Sequence, residues 1–242
     1  MSRHTRSFTV FQKNPNKLHM NMKKNLFVLA GIMLLAVSAY SQIKVACIGN
    51  SITYGYGIQN REVNSYPAQL QKMLGQEWEV KNFGVNGATL LKQGDKPYVK
   101  QTSFEDAKSY IPDVIIIKLG TNDTKPGNWK FKEEFVSDYS AMINEFRALS
   151  SKPLVILCFP VPAYPERWGI RDSIITVELI PYIKKVAKQT KTELIDLYKP
   201  LSNHASWFPD KIHPNIEGAR KMAEIVSKKL LKLKKKIVKR NR

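Results

Sequence analysis

Five short apolar runs punctuate this chain, and the stretches between them carry a helical period. Ile43–Ile48 ends at Gly49, Val80–Phe83 is weaker, and Val114–Leu119 is strongly β-branched. Leu154–Phe159 and Leu194–Leu197 complete the set. Runs of this length, bounded by Gly or Pro, read as strands buried on both faces. Helices are expected at Pro67–Leu74, Phe104–Tyr110, Glu133–Leu149 and Val177–Lys188. Phe135, Tyr139, Met142, Ile143 and Phe146 recur at helical spacing in the third of these. A last helix is expected to open with Pro214 as its first residue. In it Ala219, Met222, Ala223, Val226, Leu230 and Leu233 recur at i+3 and i+4. Strand–helix alternation of this kind predicts an α/β fold, a five-stranded parallel sheet covered by helices on both faces. No internal repeat or linker divides the segment.

Charge decides what lies outside that body. The chain holds 39 Lys and Arg against 20 Asp and Glu, a formal charge of +19 over 242 residues. Six bases fall in residues 1–41 and nine in residues 228–242, with no acid in either stretch. The remaining 24 bases face all 20 acids, so the body is nearly balanced. A nucleic-acid partner is therefore not expected, and no matching motif is present. Lys23-Lys24, the apolar run Leu26–Val37 and Ala39-Tyr40-Ser41 have the order of an export signal. Twelve apolar residues fall short of the roughly 20 that a membrane span needs. Cleavage after Ser41 is expected rather than a retained anchor, with export to the periplasm or the exterior. Translation is expected to start at Met20 or Met22, leaving Met1–His19 as an over-extended start. Domain boundaries are thus expected at 42–230, with a basic tail at 231–242 that continues the last helix and contacts anionic surfaces or ends frayed. Cys47 and Cys158 lie within apolar runs and are expected as buried free thiols.

The turns after the strands carry the chemistry. Gly49-Asn50-Ser51 follows the first, Gly84-Val85-Asn86-Gly87 the second, Gly120-Thr121-Asn122-Asp123 the third, and Asp210-Lys211-Ile212-His213-Pro214 lies beyond the fifth. Ligands bind outside the carboxyl ends of the strands in open parallel sheets. The turns bring a hydroxyl, backbone amides, a side-chain amide, a carboxylate and an imidazole to that edge. These are the parts of a serine hydrolase: nucleophile, oxyanion donors, base and orienter. Ser51 alone also suits a helix N-cap, and Asn122, Gly87 or His213 alone would read as turn residues. In this order, each after its strand, they form a constellation.

At these residues the chain resembles the SGNH hydrolases, or GDSL-type esterases, over about residues 43–230. The third and fourth blocks are intact, whereas Gly49-Asn50-Ser51 replaces the family's Gly-Asp-Ser. The resemblance implies a flavodoxin-like three-layer α/β/α sandwich, with Ser51, Asp210 and His213 catalytic. It also implies an oxyanion hole from Ser51, Gly87 (rather than Gly84) and Asn122, and no metal or cofactor. The Pro-rich, aromatic segment 158–172 is expected to wall the substrate, with Tyr164 and Trp168 stacking on a sugar and Arg167 or Arg171 meeting a carboxylate. That segment, with Asp196-Leu197-Tyr198, is similar to secreted bacterial sialate O-acetylesterase-like and carbohydrate acetylesterase members. The expected substrate is an acetylated glycan or other small ester. A lysophospholipase or thioesterase is the enzymatic alternative, and a non-catalytic glycan-binding protein is the other. Oligomeric state is open.

Overall fold

The computed structural model describes residues 42–240, so the export signal and its cleavage site lie outside the described residues. Five strands form one parallel sheet: β1 (Ile43–Gly49), β2 (Trp78–Gly84), β3 (Val114–Lys118), β4 (Leu154–Cys158) and β5 (Glu193–Ile195). Their order is β2-β1-β3-β4-β5, which reverses direction between β1 and β3. Such a reversal leaves a crevice at the carboxyl edge, where doubly wound sheets bind ligands. The expected α/β sandwich is therefore the fold. β2 begins earlier than its apolar core suggests. It is an edge strand, and every residue after Trp78 is at least partly exposed.

Strand alternation sends side chains to two cores. Ala46, Ile48, Ile115, Ile117, Val155 and Leu157 face one layer. It is made by α3 (Thr102–Ser109), α4 (Phe135–Arg147) and α5 (Ile180–Thr190). Val45, Cys47, Val114, Ile116, Ile156 and Cys158 face the other, made by α2 (Tyr66–Leu74) and α6 (Ile216–Arg240). α1 (Ser51–Tyr54) is a single turn at the carboxyl end of β1. Both cysteines are free and buried, as expected. Burial pushes the Cys47 thiol up to about 12. The Cys158 thiol moves in the same direction, so both stay protonated.

Two boundaries need correction. α6 starts at Ile216, not at Pro214, because Asn215 caps it: its side-chain Oδ1 accepts from the Gly218 amide at 3.0 Å. At the other end, residues 231–240 are neither frayed nor separate from the body. Ile237 is fully buried against the sheet. Lys234 pairs with Glu77 at 2.8 Å, and Lys229 and Lys236 both reach Glu193. The apolar spacing that begins at Ala219 simply continues through the lysines.

Candidate active site

Each chemical group sits where a strand ends. Gly49, the last residue of β1, has to be glycine: an added Cβ would lie 2.0 Å from Thr53 Oγ1 and 2.9 Å from the Lys118 carbonyl. The chain then turns into α1, whose N-cap is Asn50, with Oδ1 accepting from the Ile52 amide at 3.1 Å. Ser51 is therefore the first helical residue and not the cap. Asn50 does the capping an aspartate could do in its place, which leaves the Ser51 hydroxyl free for other partners.

One such partner comes from the far end of the chain. Ser51 Oγ lies 2.8 Å from His213 Nε2, and His213 Nδ1 lies 2.7 Å from Asp210 Oδ2. Asp210 Oδ1 also accepts from the backbone amides of Ile212 (3.0 Å) and His213 (2.7 Å). Burial opposes ionisation of Asp210, but the amide and imidazole hydrogen bonds outweigh it and hold the carboxyl below its usual range. An ionised Asp210 can only accept, so Nδ1 carries the ring proton and Nε2 offers its lone pair to Ser51. Burial pushes the His213 imidazole below its ordinary value. Asp210 acts against that shift, while Lys118 and Arg167 reinforce it. A neutral imidazole between a carboxylate and a hydroxyl can act as a general base.

The remaining polar groups are fixed from behind. Asp123 is buried, and its carboxylate accepts from the amides of Leu90 (3.0 Å) and Leu91 (2.8 Å). Burial lifts that carboxyl to about 6 against the pull of these bonds. This clamp ties the turn after β2 to the turn after β3. Asn122 Nδ2 donates to the Ala88 carbonyl at 3.0 Å, leaving its second N–H available. Gly87 takes φ +78°, a conformation that side-chain-bearing residues rarely adopt. Ser51, Gly87, Asn122 and His213 all line one cavity of about 240 Å³.

The segment 158–172 divides into two roles. Trp168 lines the cavity, is half exposed, and sits 5.6 Å from the His213 ring. Its φ of +53° is unusual for a bulky side chain. Arg167 stacks on that indole at 4.6 Å and donates to the Asp210 carbonyl at 3.1 Å. Of the four residues expected to meet substrate, only Trp168 lines the cavity; Tyr164, Arg167 and Arg171 do not. Tyr164 donates its hydroxyl to the Leu201 carbonyl and packs on Phe208. Arg171 Nε donates to the Thr124 carbonyl at 2.9 Å. Both are braces that tie this segment to neighbouring turns. Tyr56, by contrast, did not emerge from the sequence. It is half exposed, lines the cavity and lies 4.6 Å from the His213 ring. The signal was there: a lone aromatic between Gly55 and Gly57 in a turn just past the serine.

Comparison with known proteins identifies the family and the fold. Residues 47–221 match the model of a family described as the GDSL-like Lipase/Acylhydrolase family. The chain is 45% identical over 203 residues to an acetylxylan esterase from Xylanibacter ruminicola, a match covering 76% of this chain and 42% of that protein. The chain thus spans less than half the length of this relative. Among solved structures it is similar to a carbohydrate acetylesterase from Sinorhizobium meliloti, at 19% identity and a TM-score of 0.64, over 79% of this chain and 100% of that one. An aryl esterase from M. Smegmatis matches at 20% identity and a TM-score of 0.63, over 80% and 100% of the two chains. A lipase/acylhydrolase from Enterococcus faecalis matches at 25% identity and a TM-score of 0.59, over 77% and 94%.

Proposed function

The chain belongs to the GDSL-like lipase/acylhydrolase family, and from that premise we propose that it is a serine esterase that removes O-acetyl groups from glycans. The observation that carries the reading is the unbroken chain of contacts Ser51–His213–Asp210, at 2.8 and 2.7 Å, opening into the cavity.

The mechanism follows from these atoms. His213 Nε2 takes the Ser51 proton as Oγ attacks the acetyl carbonyl carbon. The carbonyl electrons move onto oxygen, where the amides of Ser51 and Gly87 and the second N–H of Asn122 stabilise the charge. Asp210 keeps the imidazole in the required tautomer and stabilises it once protonated. Collapse of the intermediate breaks the bond to the sugar oxygen, which leaves with the proton from Nε2. Water, deprotonated by His213, then attacks the acetyl-serine; acetate leaves and Ser51 recovers its proton. The chemistry needs no further group.

An acetyl substrate is supported by the 45% identical acetylxylan esterase and by the small cavity. The half-exposed rings of Tyr56 and Trp168 beside His213 suit stacking against a pyranose face. Export belongs to the same reading: a glycan outside the cytoplasm is reached by a chain whose first 41 residues are removed. Comparing p-nitrophenyl acetate with the octanoate tests acyl-chain length. The acetate is expected to be preferred; preference for octanoate would replace this reading with a lipid acylhydrolase.

A further inference from the structure

The two faces of α6 carry different kinds of lysine. Lys229 and Lys236 face the sheet edge and pair with Glu193, at 3.0 and 2.9 Å. Lys234 pairs with Glu77, and Arg240 donates to the Lys152 carbonyl at 2.9 Å. These groups pin the helix to its own body. Lys228, Lys232, Lys235 and Lys239 are all exposed, and among the described residues none has an acidic partner. They are separated by four, three and four residues. At about 100° per residue they fall within roughly 60° of one another, a single line about 17 Å long. Lysines three and four apart repel one another on a helix. A row of them held in register by a buried apolar face is a cationic rail that its own body leaves unneutralised.

The rail lies away from the candidate active site. α6 begins three residues after His213, at the carboxyl edge of the sheet, and runs toward the amino edge. There Lys234 meets Glu77, which immediately precedes β2, and Arg240 meets Lys152, which precedes β4. A partner on the rail therefore leaves the Ser51 cavity open.

We propose that this rail binds a linear carboxylated polysaccharide, holding the protein on an acidic matrix while the cavity faces outward. The shape of the surface selects the partner. The free charge is one residue wide because the flanking lysines are already paired, so it matches a chain better than the plane of a membrane. Its apolar contribution comes from two aliphatic side chains, Leu231 and the partly exposed Val238; a stacking surface for unpaired bases would need aromatic rings beside the lysines. Carboxylates repeating at each sugar unit along a linear chain meet lysines that repeat at each helical turn. The attraction is long-ranged and falls with salt.

Fluorescently labelled polygalacturonate tests the proposal by anisotropy with the exported chain, residues 42–242. Binding is expected at low ionic strength and is expected to vanish near 1 M salt, where the screening length shrinks to about 3 Å. Lys232→Glu/Lys235→Glu is expected to weaken it at least ~10-fold, with p-nitrophenyl acetate hydrolysis unchanged. The neutral Lys232→Gln/Lys235→Gln variant is expected to fall between the two, which separates lost charge from any disturbance of the helix. The proposal is overturned if wild type does not bind at low salt, or if the reversed variant binds as tightly as wild type. It is also overturned if vesicles containing phosphatidylglycerol, or single-stranded DNA, bind more tightly than polygalacturonate under the same conditions.

Discussion

Lys118→Met is the perturbation most revealing of how this site is built. Lys118 ends the central strand, is fully buried, and its Nζ has no hydrogen-bond partner among the described residues. Its register partner on β1 is Gly49, two residues before Ser51, and alternation along β3 puts it on the face that carries Val114 and Ile116. Burial pushes its amine down to about 7, against ~10.4 in an unfolded chain. At pH 7 that gap corresponds to roughly 4 kcal/mol, an upper bound for what the native state forgoes by hiding the amine. The sign is fixed by proton counting. Between about pH 7 and 10 the unfolded chain holds a proton that the native chain has lost, so wild-type stability rises with pH across that window. Methionine keeps the length of the side chain without the charge. Lys118→Met is thus expected to be more stable than wild type by ~1–4 kcal/mol at pH 7, with the difference shrinking toward pH 10. Urea unfolding at several pH values measures both. The same charge acts on His213: below pH 7 Lys118 is protonated and disfavours the imidazolium. Its removal is expected to raise the His213 pKa, moving the acid limb of kcat/KM to higher pH. A variant less stable than wild type at pH 7, or a difference independent of pH, would refute this account of the buried amine.

Other substitutions probe single links. Asn122→Ala is expected to lower kcat on p-nitrophenyl acetate by about 10²–10³, with a smaller effect on KM. Because burial holds the His213 imidazole below its ordinary range, kcat/KM should remain half-maximal at a pH below the ~6.5 of a free histidine; a pH–rate profile reads this directly. Ile237→Ala should cost about 2–5 kcal/mol, seen as a lower thermal midpoint. A solvated tail would show no such loss.

The strands were legible because β-branched runs bounded by Gly or Pro have few alternatives in a chain of this pattern. The groups at their ends were legible because a parallel sheet gathers its carboxyl ends at one edge: Ser51, Asn122 and His213 are far apart in sequence yet share a cavity. Tertiary partners were not legible. Nothing local says that Tyr164 will find the Leu201 carbonyl, or that Arg171 will find Thr124. Both looked like free aromatic and cationic groups in a loop. Lys118 is the opposite case: a lysine inside Val114–Leu119 is a written anomaly, but only the fold reveals that it is buried without a partner. The capping of α1 turned on one atom, the Asn50 Oδ1, which frees Ser51 from the role its position first suggested.

Acetate release from acetylated xylan, measured for wild type and for Ser51→Ala after both are shown to unfold at the same temperature, tests the central claim most directly. Wild type should release acetate, and the variant should lose at least ~10³-fold in rate. Equal release by the two proteins, or none from wild type while long-chain esters are cleaved, would contradict it.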